Sequence, residues 1–277
     1  MSLLRRAAVA GTWYPGTAAA LASAVDGHLA HADRDARDVA GDISALICPH
    51  AGLIYSGPVA AHAYRLLRDR RFDVAVLVGP SHFVGFEGVS VYPSGGFETP
   101  YGVAPIEEGV AGALLSASIV HEHRAAHARE HSLEMQLPFL ERLAPAVPIV
   151  PLVMGYQTAA TAFALGDALA SALRGRNALL IASTDLSHYH DADTASRLDR
   201  VVIDCVERFD ADALQQALAD NPEHACGGGP TVAVMRAARL AGARDAVVLN
   251  YADSGDVSGD KSAVVGYLAA AIGTFAR

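Results

Sequence analysis

Short apolar runs alternate with longer, mixed stretches along most of this chain. Residues 43–48, 72–79, 147–153, 178–183 and 245–251 are strand-length runs of Val, Ile, Leu and Ala bounded by Pro, Gly, Asp or Asn. Runs of that kind read as strands, and those without polar alternation as strands buried on both faces. Residues 89–92 form a shorter one, and 263–271 a last apolar element. Helical spacing fills the intervals over 17–29, 107–116, 132–143, 158–173, 194–209 and 212–219. Two further helices are predicted, one opened by Ser56 and Pro58 and reaching about Arg68, the other running from Pro230 at N1 to about Ala241. Thr17 suits an N-cap, and Pro138 predicts a kink or restart inside 132–143. Residues 31–42 read as a charged, solvated connection and 93–103 as a long surface loop. No repeat and no linker divides the chain. The pattern predicts an α/β fold: a single three-layer α/β/α domain over residues 1–277 with a mostly parallel central sheet.

The residues that follow the strands point to chemistry. In open α/β sheets ligands bind outside the carboxyl ends of the strands. Here Pro49-His50 follows one strand, Pro80-Ser81-His82 the next, Thr184-Asp185-Leu186-Ser187-His188 another, and Ala252-Asp253-Ser254 a fourth. His50 and His82 are separated by one strand–helix–strand unit, so adjacent parallel strands would bring their imidazoles within metal-binding reach. Asp185, His188 and Cys226 are candidates for a third ligand. Asp185 beside His188 also suits an acid/base pair, the carboxylate orienting the imidazole.

Composition narrows the partners. The 277 residues carry 21 Lys+Arg against 30 Asp+Glu, a formal charge of −9, which disfavours bulk nucleic-acid binding. Three cysteines make no disulfide framework and suggest a reducing, cytoplasmic setting. Arg5-Arg6 is followed by only a short apolar stretch, unlike an export signal, and no run is long enough to span a membrane.

Two motifs remain. Cys226 precedes Gly227-Gly228-Gly229-Pro230, read as a flexible turn at a helix start where the dipole lowers a thiol pKa and glycines let a ligand approach. His127-Ala128-Arg129-Glu130-His131 spells the inverted zincin motif, which on a helix would place both histidines on one face with Glu130 as base. That metallopeptidase reading leaves the strand-end histidines unused and is the weaker one. Trp13, the only tryptophan, is either a packing anchor or part of a binding site.

Taken in order, Gly11-Thr12-Trp13-Tyr14-Pro15, Pro49-His50-Ala51-Gly52, Gly79-Pro80-Ser81-His82, Glu130-His131-Ser132-Leu133-Glu134, Ser183-Thr184-Asp185-Leu186-Ser187-His188 and Cys226-Gly227 resemble the Memo family, also called AmmeMemoRadiSam system protein B. The resemblance implies a fold like the catalytic subunit of class III extradiol ring-cleaving dioxygenases, which hold non-haem iron with two histidines and a carboxylate. It implies His50, His82 and Cys226 as metal ligands, His188, Asp185 and His131 as catalytic groups around them, and Trp13 at the substrate-binding mouth. The implied function is a dioxygenase-like, metal-dependent oxidoreductase using iron or copper, with zinc a further candidate. The alternative is a non-catalytic metal- or peptide-binding protein using the same pocket. A small molecule or peptide is the implied ligand, and the family's second name implies a functional link to a radical-SAM protein. Cysteine in place of the carboxylate argues against ordinary catechol cleavage. Animal Memo proteins carry bulkier residues after Cys-Gly, so Gly228-Gly229 predicts a more open pocket here.

Overall fold

Strand positions that must be covered on both sides need apolar residues throughout, and the four innermost strands have them. In a computed structural model that describes residues 4–34, 39–145 and 147–276, the strands are β1 (Leu4–Arg5), β2 (Gly41–Cys48), β3 (Val74–Pro80), β4 (Val89–Val91), β5 (Gly96–Thr99), β6 (Gly102–Pro105), β7 (Val120–Glu122), β8 (Ile149–Met154), β9 (Ala178–Ser183), β10 (His188–His190), β11 (Asp245–Asp253) and β12 (Val264–Phe275). The charged connection expected over 31–42 lies partly outside the described residues. Among the described residues, nine strands form the main sheet, in the order β10-β12-β2-β9-β3-β8-β4-β7 with β11 alongside β12. β2, β9, β3 and β8 are parallel, and β12 and β4 flank them antiparallel. β10 and β11 are antiparallel to β12 and so run with the central four, which makes the sheet mostly parallel. Every residue of β3 and β8 is buried.

Helices cover the sheet in two groups. Leu53–Tyr64 packs on β2, β11 and β12 and against Ala18–Ala32. Gly228–Leu240 packs on β9, β3 and β2 and against Ala159–Ala172. Their apolar faces and the sheet form one continuous buried cluster. Thr17 caps the first long helix as expected, accepting from the Ala20 N–H.

Several expectations are corrected. β9 lies between β2 and β3, so His50 and His82 do not leave adjacent strands. Residues 93–103 are not a plain loop, because β5 and β6 pair there as a hairpin and β5 also pairs β1. The helix after His50 opens at Leu53, whose N–H donates to the Trp13 carbonyl, and Pro58 sits inside it. Over 132–143 the helix is not continuous: Glu134–Gln136 forms a 3-10 turn before the helix Leu137–Leu143, with Pro138 at the restart as expected. The final apolar element is a long strand, β12. Gly228 and Gly229 open a helix rather than forming a flexible turn, and Pro230 follows them inside its first turn. The insertion of β9 has a useful consequence: three strand ends, carrying His50, Asp185 and His82, stand side by side.

Candidate metal centre

β2 ends at Cys48, and Pro49 then turns the chain so that His50 lies under the strand ends, 1% exposed. His82 follows β3 and is the open side of the cluster, its side chain 27% exposed. Cys226 arrives from the far side, just before the helix Gly228–Leu240. Its Sγ lies 3.2 Å from His50 Nε2. The two imidazole rings are 5.2 Å apart, edge to face. One donor atom from each of His50, His82 and Cys226 lies within 4.8 Å of the others, which suits a single metal ion.

The surrounding hydrogen bonds decide which nitrogen each imidazole presents. His50 Nδ1 is 2.9 Å from Ser183 Oγ. That hydroxyl has one proton, which it donates to the Ser132 carbonyl at 2.6 Å. Ser183 must therefore accept at its other contacts, from Gln136 Nε2 and from His50 Nδ1–H. His50 Nε2 is left with its lone pair toward Cys226. Burial, reinforced by His82, His131 and His188, holds the His50 pKa well below the ordinary value, so the ring is neutral at pH 7. His82 presents the same nitrogen by another route. Its Nδ1 is 2.9 Å from Glu130 Oε1, and its backbone N–H donates to Glu130 Oε2 at 2.7 Å. Burial alone would raise Glu130, but the His82 side chain, its backbone N–H and the Ser132 N–H outweigh it and bring the carboxyl down to about 2. An ionised Glu130 only accepts, so Nδ1 of His82 carries a proton and Nε2 is the nitrogen turned to the cluster.

The remaining expected residues border this cluster. His131 stacks on His82, with ring centroids 4.4 Å apart. Trp13, 39% exposed, lies with its ring 4.4 Å from that of His131. Burial and then His82 lower the His131 pKa to about 4. Asp185 lies between the two histidine-bearing loops. Its Oδ1 accepts from the His50 N–H at 2.7 Å, and its Oδ2 is 4.0 Å from His50 Nε2. Burial raises the Asp185 pKa to about 7 against the pull of the His50 and Ala51 N–H groups. Asp185 does not orient His188, whose Nδ1 meets the Leu186 carbonyl at 2.8 Å instead.

Residues 5–271 of the chain match the Memo-like protein family. The chain belongs to the Memo family. A MEMO1 family protein of Methanothermobacter thermautotrophicus is 39% identical over 273 residues, covering 96% of this chain and 99% of the relative. Another, from Ignicoccus hospitalis, is 38% identical over 279 residues and covers 96% and 98%. A solved structure of an uncharacterized Escherichia coli K12 protein shares the fold at a TM-score of 0.54 and 18% identity, covering 82% of this chain and 99% of that one.

Three sequence expectations fail within this Memo-family site. His127 and His131 do not share a helix face, because the helix Arg124–Ala128 ends between them. His127 turns away and its Nε2 meets Ser90 Oγ at 3.0 Å, so no zincin pair forms and Glu130 serves His82 instead. The Cys226 thiol is pushed up rather than down, first by burial and then by the Asp185 carboxyl. The glycines after it do not open the pocket. A Cβ at Gly227 would lie 2.3 Å from the Ser183 carbonyl, one at Gly228 2.5 Å from Leu218, and one at Gly229 2.8 Å from Met154. They are small because the protein itself packs there.

Sequence reasoning also passed over the supports. Ser183 and Gln136 are ordinary residues in strand and helix patterns, with no local signal of a role. Arg5 is buried and pairs with Glu134, which also accepts from the Ala8 and Val9 N–H groups and the Tyr14 hydroxyl. The same guanidinium donates to the carbonyls of His127 and Glu130. One cation thus fastens the N-terminal segment carrying Trp13 to the loop carrying Glu130 and His131.

Proposed function

We propose that this protein is a metal-dependent oxidoreductase that holds iron or copper, with zinc a further candidate, through His50, His82 and Cys226. One observation carries the reading. Three donor atoms converge within 4.8 Å, and both imidazoles are hydrogen-bonded at Nδ1, which leaves Nε2 as the nitrogen each would offer a metal. A thiolate beside two imidazoles is a softer set than two histidines with a carboxylate, and favours Cu(I), zinc or thiolate-bound iron. A redox metal held by these residues would supply electron transfer and Lewis acidity. The chain's own residues do the rest. Asp185, with a pKa of about 7, takes or gives a proton at Oδ2 next to the cluster. His188 serves as the second acid/base group. His131 and Trp13 offer a hydrogen bond and a ring face to a small molecule or peptide entering from the His82 side.

Metal analysis and EPR of protein purified without oxygen test this, with wild type beside Cys226→Ser and His82→Ala. Near-stoichiometric iron or copper in wild type, lost in both variants, is expected. Absence of metal from wild type even after reconstitution overturns the proposal. Tightly bound metal with no substrate or dioxygen consumption supports the alternative, a binding protein using the same pocket.

A further inference from the structure

The helix Ala192–Glu207 turns one face inward, with Ala195, Val202, Ile203 and Val206 buried on it. Asp199 falls on the same face and is 0% exposed. A carboxyl group there is costly unless its oxygens are hydrogen-bonded, and an apolar residue is the usual choice. Both oxygens of Asp199 are engaged. Oδ1 accepts from the Ser187 N–H at 2.8 Å, and Oδ2 accepts from the Tyr251 hydroxyl at 2.8 Å. β12 makes room for the group at Gly266, where a Cβ would collide with Oδ2.

The bond to Ser187 matters through the other end of its peptide. The Ser187 N–H and the Leu186 carbonyl belong to one planar unit. That carbonyl faces His188 Nδ1 at 2.8 Å. A carbonyl only accepts, so Nδ1 carries a proton and Nε2 is the nitrogen His188 offers elsewhere. Fixing the N–H on one side of a trans peptide fixes the direction of the carbonyl on the other. A carboxylate bonded to that N–H also polarises the carbonyl toward its own donor. Asp199, the peptide and the imidazole thus form one chain of hydrogen bonds.

The backbone around His188 gives a reason for such a device. β10 is bulged against β12 between His188 and His190. Tyr189, in between, has a φ of 63°, in the left-handed region that favours glycine. At a bulge, strand alternation does not by itself aim a side chain. His188 nevertheless stands close to the proposed centre, since it adds to the effect of burial in lowering the His50 pKa.

We propose that Asp199 is a positioning residue for His188, acting through the Leu186–Ser187 peptide to hold the imidazole in its Nδ1–H tautomer with Nε2 presented to the metal centre. It fills the orienting role that the sequence assigned to Asp185. The proposal rests on reading His188 as an acid/base group of that centre.

Long-range ¹H–¹⁵N spectra of the histidine rings test it, taken on metal-free, ¹⁵N-labelled protein at a pH where the rings are neutral. His188→Gln identifies the His188 signals. Wild type should show His188 as the Nδ1–H tautomer alone. Asp199→Ala should give a mixture of both tautomers at His188 and leave the His50 signals in place. Asp199→Asn should restore the wild-type pattern, because its carboxamide oxygen still accepts from the Ser187 N–H and its NH2 can donate to the Tyr251 oxygen. Should Asp199→Ala not fold, Asp199→Leu combined with Tyr251→Phe removes the acceptor while keeping the buried face filled, and the same mixture is expected. Both tautomers at His188 in wild type or in Asp199→Asn, or the Nδ1–H tautomer kept without an acceptor at position 199, overturns the positioning role. These spectra need no metal. Failure of wild type to take up metal therefore overturns the metal-dependent function alone, and an unchanged His188 tautomer overturns the role of Asp199 alone.

Discussion

His50 and His82 reach one protonation pattern through different partners. His50 is fixed by a neutral hydroxyl whose own proton is committed to the Ser132 carbonyl, His82 by an ionised carboxylate. Only the second supplies charge. Removing it should therefore weaken the site without dismantling it. Glu130→Gln is expected to lower metal affinity by about 10- to 100-fold, read by competition with a chelator of known affinity, while the far-UV spectrum stays as in wild type. Glu130 was visible in the sequence, but with the wrong employment. The five-residue motif that contains it presumes a helix that would continue past Ala128, and the chain leaves the helix there.

Elements, not single residues, bring the proposed ligands together, and two contacts between elements are exposed to test. Arg5 joins β1 to the loop before the 3-10 turn Glu134–Gln136. Breaking a buried ion pair from one side leaves the other charge uncompensated. Arg5→Ala should cost roughly 3–5 kcal/mol in urea unfolding and increase hydrogen exchange across residues 127–134. At the opposite side of the centre, Gly227 packs against the end of β9. A methyl group there cannot fit without moving either Cys226 or the Ser183 carbonyl. Gly227→Ala should therefore bind metal more weakly than wild type with its helix content unchanged, measured by metal titration beside circular dichroism.

The whole molecule concentrates histidines whose pKa values burial has lowered, among them His50, His127 and His131. His127 is the cleanest to follow, being remote from the proposed ligands. Its folded pKa is about 3, against an ordinary 6.5. Between those values the unfolded chain binds the proton and the folded one does not. Stability from this residue is thus complete above pH 6.5 and is lost as pH falls toward 3. By pH 4 the loss reaches about 3 kcal/mol. Asp185 opposes it, because a raised carboxyl favours the folded state on acidification. The comparison of wild type with His127→Gln isolates the histidine's share. The stability difference between the two, by urea unfolding of metal-free protein at pH 7 and pH 4, should shift toward the variant at the lower pH.

The alternation of apolar runs determined the central strands, most of the long helices and the α/β class, because burial on both faces demands a composition that is readable locally. The position of histidines and Asp185 just after those runs determined which residues lie at the carboxyl edge of the sheet. Strand order was not readable in this way. β9 enters between β2 and β3 by a long-range pairing that no local pattern specifies, and it is this insertion that puts Asp185 between His50 and His82. The tautomers were also decided only in three dimensions. Ser183, Gln136 and Glu130 matter through contacts 47 to 133 residues apart in the chain, and a hydrogen bond at that separation leaves no periodicity to read. The thiol of Cys226 makes the same point: a helix start is a local signal for a lowered pKa, but burial is a property of the assembled fold, and burial prevails.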